Sequence, residues 1–269
     1  QWLIVNLAHD QMKRDGVKWG TKSWDEAKWL FNERDRNKWT WFLPLMEIPD
    51  EAMHGLGHHW RKWLGERGKD NFDFLTKLRK VKAPAFITTS WFDQQVNALK
   101  LFSGMSENAA SETARNETRI MVGPWAHTGN NWVREVGQVD FGAEAERDFY
   151  DTVEQWFGHW LKGEDTGVEN DAPVRLFIMG ENVWRYEQEW PLARTCYTDY
   201  YFHSGGSANT LDGDGLLSTA APSDEPTDSF VYDPAHPVPT NGGGLCCYPA
   251  LLPGGPFDQT AIERRPDVL

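Results

Sequence analysis

The chain has 269 residues, a formal net charge of −13 and a sequence pI near 5.0. Its 40% hydrophobic and 25% charged residues are typical of a soluble globular protein, and its length suits one large domain or two ordinary ones. Nucleic acid is excluded as a partner, because phosphate contacts need clustered Lys and Arg. A membrane-spanning role is excluded as well, since no apolar run approaches the roughly 18 residues that cross a bilayer.

The start of the chain and its cysteines bear on the cellular compartment. The chain begins with Gln1 rather than Met, which is compatible with a longer parent protein, and residues 1–5 do not resemble a signal peptide. We expect a soluble chain, with a cytoplasmic location slightly favoured over secretion. Cys196, Cys246 and Cys247 are too few for a disulfide framework and lack the CxxC spacing of a zinc pair. The redox state of the adjacent Cys246 and Cys247 stays open.

Residues 1–81 show helical periodicity with aromatic faces. The run Ser23-Trp24-Asp25-Glu26 has the form of a capping box at a helix N-terminus. The apolar face that follows comprises Trp24, Ala27, Leu30 and Phe31. A second helix that ends at Gly65 is predicted from the same spacing in Met53, Leu56, Trp60, Trp63 and Leu64.

Residues 82–168 alternate between buried strands and helices. Strands are predicted at 83–90 and 119–122, a short helix at 96–102, and a longer helix at 149–161 that Gly163 terminates. The order strand, helix, strand, helix is typical of a parallel α/β sheet.

Residues 169–269 have short apolar runs separated by turn residues. Strands are predicted at 173–180, 200–203 and 230–232, and this spacing favours an antiparallel sandwich or jelly roll. Residues 264–269 have the pattern of a further strand at its start, so we expect the sandwich to be incomplete here. The predicted fold is therefore α/β plus all-β, with parts at 1–81, 82–168 and 169–269.

A carboxylate and an imidazole follow the two predicted parallel strands. Asp93 ends the run SWFD after the first strand, and His127 ends the run GPWAH after the second. Because parallel strands bring their carboxyl ends to one edge of the sheet, both side chains are expected at that edge. In α/β-hydrolases the triad comes in the order nucleophile, acid, histidine, so Asp93 and His127 fit the last two places. The alternatives are a helix N-cap for Asp93 and an ordinary loop histidine for His127.

Several longer runs resemble the cocaine esterase and X-Pro dipeptidyl-peptidase family of serine hydrolases. They are SWFD (90–93), GPWAH (123–127), WFGHWLKGEDTG (156–167), VRLFIMGENVWRYEQEWP (174–191), YYFHSGG (200–206) and GPFDQ (255–259). The resemblance extends essentially from end to end. It implies the C-terminal part of an α/β-hydrolase core, a helical cap over residues 1–81 and a C-terminal jelly roll. It also implies that Asp93 is the acid and His127 the general base of a triad that uses no cofactor.

The resemblance also exposes a missing nucleophile. The family's serine lies in a Gly-x-Ser-x-x-Gly elbow upstream of the cap, and the sequence contains no such elbow. The run Gly104-Met105-Ser106 comes closest, but it lacks the second glycine and follows Asp93. We infer that the serine lies outside this chain and that the chain alone is inactive.

The expected parent protein forms an acyl-enzyme from a small ester, an amino-acid ester or an X-Pro peptide. Gln94 and Gln95 stand where relatives often carry Gly or Ser and an aromatic residue. Because these positions are expected to face the acyl pocket, the substrate preference is not carried over from the family. A homo-oligomer is compatible with the sequence.

Two other motifs and one rival function complete the prediction. His54 and His58, with the adjacent His59, have a zinc-compatible spacing, but the Glu of HExxH and a third ligand are missing, so no metal site is predicted. Residues 212–215 resemble a calcium loop without its register and are interpreted as a tight turn. The rival function is a non-catalytic jelly-roll binding module with a degenerate hydrolase remnant. A hydrogen bond between Asp93 and His127 favours the hydrolase.

Overall fold

The computed structural model describes residues 12–29, 34, 36–39, 42–53, 55–65, 75–127, 130–245 and 252–268. The chain divides into two compact units, Gln1–Asp73 and Phe74–Leu269. Within the described residues, no helix has the length and apolar character needed to cross a membrane.

The first unit contains a helix in each region where the periodicity predicts one, and a further short helix between those two regions. They are α1 (Lys22–Trp29), α2 (Arg36–Trp39) and α3 (Gly57–Gly65). Helix α1 begins at Lys22, so Ser23 lies in its first turn, and the prediction that Ser23 is the N-cap is wrong. Leu30 and Phe31, which were assigned to the same apolar face, lie outside the described residues.

The second predicted helix of this unit is shorter than its periodicity indicates. Met53 ends a 3-10 turn, and Gly55 with φ +83 separates that turn from α3. The core residues of this unit are Ile48, Ala52, Met53 and Leu56, with Trp39, Phe42 and Trp60 packed against them. Arg61 donates to Asp50 Oδ1 at 2.7 Å and to the Ile48 carbonyl at 3.1 Å. The predicted apolar face therefore spans a turn and a helix.

Among the described residues of the second unit are eight strands and four α-helices. The strands are β1 (Phe86–Phe92), β2 (Arg119–Ala126), β3 (Glu135–Val136), β4 (Val139–Asp140), β5 (Val174–Ile178), β6 (Val183–Glu187), β7 (Tyr201–His203) and β8 (Leu216–Ser218). The helices are α4 (Asn97–Asn108), α5 (Glu112–Glu117), α6 (Phe149–Phe157) and α7 (Thr260–Glu263). A π turn, Gly158–Lys162, follows α6 and ends at Gly163 in the left-handed conformation, as its helix-ending pattern predicts.

A four-stranded sheet with the order β1-β2-β5-β6 organises this unit. Strand β2 pairs in parallel with both β1 and β5, and β6 adds an antiparallel edge. The parallel α/β sheet expected near residues 82–168 is thus present. Strands β5 and β6, expected in the all-β part, extend the same sheet, so strand pairing marks no boundary at residue 169. The three-part division of the chain stays a prediction.

The C-terminal part is β-rich but has little strand pairing. Among the described residues from 188 to 268, pairing is limited to β7 with β8 and a bridge between Gly243 and Gly255. The strand predicted at 230–232 is wrong: Phe230, Val231 and Tyr232 are 76%, 87% and 72% exposed and belong to no sheet. Apolar residues alone do not make a strand, because a strand needs a partner for its backbone groups. The structure supports an α/β fold with a β-rich C-terminal part.

Strand β2 continues through the Gly-Pro pair at which the sequence predicts a break. Ser90 pairs with Gly123 and Phe92 pairs with Ala126, so β2 has one more residue than β1 between the two pairs. This irregularity accommodates Pro124, which has no N–H to offer to a neighbouring strand. Strand β2 therefore continues to pair with β1 as far as Ala126, directly before His127.

Trp125 fixes the end of β2 in the core. Its side chain is 1% exposed, and its ring stacks on Trp132 with centroids 4.7 Å apart and an interplanar angle of 6°. The indole nitrogen donates a hydrogen bond to the Ala145 carbonyl at 2.8 Å. The large ring and its satisfied polar atom hold the residues just before His127 against the neighbouring segment.

We predict that Trp125→Ala lowers the free energy of unfolding by about 3–5 kcal/mol, because it removes a buried ring and leaves a cavity. Leu161→Ala is the control: Leu161 is 76% exposed, so its truncation should change the free energy by less than about 0.5 kcal/mol. Urea unfolding followed by circular dichroism measures both. Equal stabilities for the two variants would contradict the packing described here.

A histidine and a glutamate tie strand β7 to the loop beyond β8. His203 Nδ1 lies 2.7 Å from Glu225 Oε1, and His203 Nε2 lies 2.9 Å from the Ala220 carbonyl. The hydrogen bond with Glu225 raises the pKa of His203 above its ordinary value of 6.5. The same bond lowers the pKa of Glu225 below its ordinary value of 4.5.

These directions define a pH window for the pair. His203 contributes fully to the free energy of unfolding below pH 6.5, its ordinary pKa. This contribution is lost as the pH rises through the raised pKa of the folded state. Glu225 contributes fully to the free energy of unfolding above pH 4.5, its ordinary pKa. This contribution is lost as the pH falls through the lowered pKa of the folded state. We predict that the difference in thermal midpoint between the wild type and Glu225→Gln is largest between pH 4.5 and pH 6.5. The thermal midpoint of His203→Gln should differ from that of the wild type in the same pH range. A difference that does not depend on pH would refute the stabilising role of the His203–Glu225 hydrogen bond.

Candidate active site

The ends of β1 and β2 place Asp93 and His127 side by side. Asp93 follows Phe92 directly, and its backbone N–H donates to the Ser90 carbonyl at 3.1 Å. His127 follows Ala126, which pairs with Phe92 across the two strands. Because the strands are parallel, both residues leave the sheet at its carboxyl edge, where ligands and catalytic groups gather in open α/β sheets.

The two side chains are hydrogen-bonded. His127 Nδ1 lies 3.0 Å from both Oδ1 and Oδ2 of Asp93. The Asp93 side chain is 11% exposed, whereas that of His127 is 35% exposed. The Gln95 backbone N–H also donates to Asp93 Oδ1 at 2.9 Å, which fixes the carboxylate in the turn after β1. A largely buried carboxylate thus orients a partly exposed imidazole.

This geometry sets the tautomer of the imidazole. A carboxylate only accepts hydrogen bonds, so the proton of neutral His127 lies on Nδ1 and the lone pair lies on Nε2. Within the described part of the chain, Nε2 makes no hydrogen bond. The arrangement can take a proton at Nε2 while Asp93 stabilises the resulting imidazolium.

The serine nearest to a nucleophile motif is engaged elsewhere. Ser106 lies in α4, and its hydroxyl donates to the Phe102 carbonyl at 3.1 Å. Its backbone is therefore regular helix, not the strained turn of a nucleophile elbow. Gln94 and Gln95, which follow the acid, are both exposed.

The candidate metal ligands do not form a site in the described residues. His58 and His59 have ring centroids 3.8 Å apart in α3, and His54 lies outside the described residues. Desolvation and the neighbouring His58 lower the pKa of His59. Within the residues that the structure describes, no group of three or more His, Cys, Asp or Glu residues is placed to hold a metal ion.

One of the three cysteines lies within the described residues. Cys196 is a free, exposed thiol. Cys246 and Cys247 lie outside the described residues, so their redox state stays open.

Two glycines far along the chain contact the loops of the Asp–His pair, and the sequence analysis missed them. A Cβ at Gly244 would lie 3.4 Å from the Asp93 backbone carbon and oxygen. A Cβ at Gly254 would lie 2.9 Å from the Cβ of Ala126, the residue before His127. The sequence feature that could have indicated them is the concentration of glycine at 242–244 and 254–255, because such glycines usually mark turns or close backbone approach.

Comparisons with known proteins give one matching family and several similar proteins. Residues 166–269 match the family described as the X-Pro dipeptidyl-peptidase C-terminal non-catalytic domain. The cocaine esterase of Rhodococcus sp. (strain MB1 Bresler) is 38% identical over 206 residues, which cover 74% of this chain. The chain spans 33% of the length of that relative.

One solved structure is also similar. It is an aminopeptidase from the marine sediment archaeon Thaumarchaeota archaeon, with 20% sequence identity and a TM-score of 0.45. The match covers 66% of this chain and 31% of the aminopeptidase.

We predict that Asp93→Asn abolishes the strong Nδ1–H hydrogen bond of His127. The Asn oxygen can still accept from the Gln95 N–H, so the turn is kept, but a neutral amide is a weaker partner for the imidazole than a carboxylate. Proton NMR of His127 should show a downfield Nδ1–H resonance in the wild type that is lost in the variant. Asp151→Asn is the control, because Asp151 contacts Gln155 in α6. The same resonance in Asp93→Asn would exclude the bond.

Proposed function

We propose that the protein works as a serine hydrolase, since the chain belongs to the cocaine esterase and X-Pro dipeptidyl-peptidase family. The single observation that supports this function is the Asp93–His127 hydrogen bond at the carboxyl edge of the sheet. The pair supplies the acid and the base of a triad, and a serine in an upstream part of a longer protein supplies the nucleophile.

The proposed reaction proceeds through an acyl-enzyme. The serine oxygen attacks the substrate carbonyl while His127 Nε2 takes the hydroxyl proton, and Asp93 holds the imidazolium. His127 then gives that proton to the leaving alcohol or amine as the bond to the carbonyl carbon breaks. In the second half, His127 takes a proton from water, the hydroxide attacks the acyl group, and the serine regains its proton. Neither half requires a cofactor.

The proposed substrates are a small ester, an amino-acid ester or an X-Pro peptide. The relative is named for an ester, cocaine, and the matched C-terminal domain is named for X-Pro peptides. In the same proposal, residues 1–81 are part of a helical cap, and the β-rich part belongs to a jelly roll. A partly exposed imidazole suits all three substrate classes.

A second candidate function is a non-catalytic binding module. The observation that favours it is the match of residues 166–269 to a domain described as non-catalytic. In that case Asp93 and His127 would be a structural pair, and replacing His127 would leave any hydrolysis by the longer protein unchanged.

We predict that the isolated chain does not hydrolyse p-nitrophenyl acetate and that a protein extended upstream through the serine elbow does. In the extended protein, His127→Ala should lower kcat by about 10⁴-fold or more, because the serine loses its general base. His203→Gln, which replaces a histidine bonded to Glu225, is the matched control and should retain kcat.

Two outcomes would contradict the proposal. Turnover by the isolated chain that His127→Ala abolishes would mean that the nucleophile lies within these residues. An unchanged kcat in the extended His127→Ala protein would leave the binding module as the better description.

A further inference from the structure

Residues 241–245 and 252–258 form a backbone structure that we call the glycine clasp. Its two arms meet where Gly243 N–H donates to the Gly255 carbonyl at 2.7 Å and Gly255 N–H donates to the Gly243 carbonyl at 3.0 Å. Gly243 has φ +81 and Gly255 has φ +114, conformations that side chains other than glycine rarely adopt. The sequence thus specifies the backbone conformation of the clasp, because glycine is required where the arms meet.

The clasp is anchored to the turn between β3 and β4. The Gln138 N–H donates to the Pro256 carbonyl at 2.9 Å, and the Asp258 N–H donates to Gln138 Oε1 at 2.7 Å. A Cβ at Gly137 would lie 2.3 Å from the Pro256 oxygen. The turn and the second arm therefore fit only with glycine at this position.

A further set of hydrogen bonds ties the two arms to each other. The Asn241 side chain donates to the Asp258 carbonyl at 2.8 Å, and the Gln259 side chain donates to the Asn241 carbonyl at 2.8 Å. Several reciprocal hydrogen bonds over a short stretch make the clasp resistant to local opening.

The clasp lies close to the ends of the two strands that carry the Asp–His pair. On its first arm, a Cβ added at Gly244 would lie 3.4 Å from the Asp93 backbone carbon and oxygen. On its second arm, a Cβ added at Gly254 would lie 2.9 Å from the Ala126 Cβ and 2.9 Å from the Leu245 carbonyl oxygen. One arm thus approaches the acid and the other approaches the residue before the base, and the reciprocal hydrogen bonds of Gly243 and Gly255 join the two arms.

We propose that the glycine clasp positions His127 relative to Asp93. The 3.0 Å contact between the two side chains depends on the ends of two separate strands, and the arms of the clasp lie beside both ends. Catalytic geometry tolerates little error, because a misplacement of about 1 Å costs about 10²-fold in rate. This proposal rests on the proposed hydrolase function. It assigns a positioning role to part of the domain that is described as non-catalytic.

Gly254→Ala tests the proposal directly. The added methyl group must displace Ala126 or Leu245, and Gly254 has no positive φ, so the change is steric. In the isolated chain, the downfield Nδ1–H resonance of His127 should weaken or shift. In the extended protein, kcat should fall about 10- to 100-fold while KM changes less than about threefold. Ala126→Gly, added to Gly254→Ala, should restore part of the resonance because it removes the atom that clashes.

Two further variants separate positioning from general destabilisation. Gly213→Ala places its Cβ 2.1 Å from the Ser207 carbonyl oxygen, a clash with a backbone atom elsewhere in the same unit, and should leave the His127 resonance unchanged. Gln138→Ala removes the hydrogen bond from the Asp258 N–H to Gln138 Oε1 without adding an atom, and should weaken the resonance even if Gly254→Ala does not fold.

The outcomes distinguish this proposal from the hydrolase function. A wild-type resonance that Gly254→Ala and Gln138→Ala both leave unchanged would overturn the positioning role while the Asp–His pair stands. An equal loss in Gly213→Ala would overturn it too, because the effect would then be general. No downfield resonance in the wild type would overturn the pair itself, and the positioning role with it.

Discussion

The parallel pairing of β1 with β2 is the constraint on which the candidate site depends. It brings the ends of two strands to one edge and places Asp93 and His127 within hydrogen-bond distance. The irregularity at Gly123 and Pro124 lets β2 keep pairing as far as Ala126. Without that extra length, His127 would leave the sheet earlier and its ring would not face the acid. The buried Trp125 then holds the strand end in the core.

The placement of Asp93 beside His127 was more predictable from sequence than the architecture around it. Asp93 and His127 each follow a buried strand, and strand ends are local features that apolar runs indicate well. The sequence analysis did not predict that β5 and β6 extend the same sheet as β1 and β2. Their apolar runs resemble those of a sandwich, and a local pattern does not indicate which strand will be the pairing partner. The strand expected at 230–232 failed for the same reason.

The contacts of the glycine clasp were also beyond local patterns. Gly254 reaches Ala126 across more than a hundred residues, and a glycine pair indicates only that a turn or a close approach occurs. What it approaches depends on the tertiary fold. In the proposed role of the clasp, a C-terminal segment of the chain positions two side chains at strand ends that belong to an earlier part.

A crystal structure of the protein extended upstream and inactivated by a serine-directed phosphonate ester tests the central claim most directly. The account predicts that the phosphorus is bonded to an upstream serine whose Oγ lies within about 2.6–3.2 Å of His127 Nε2. It also predicts that Nδ1 keeps its contact with Asp93. A labelled serine that lies beside a different base, with His127 and Asp93 remote from the phosphorus, would contradict the account.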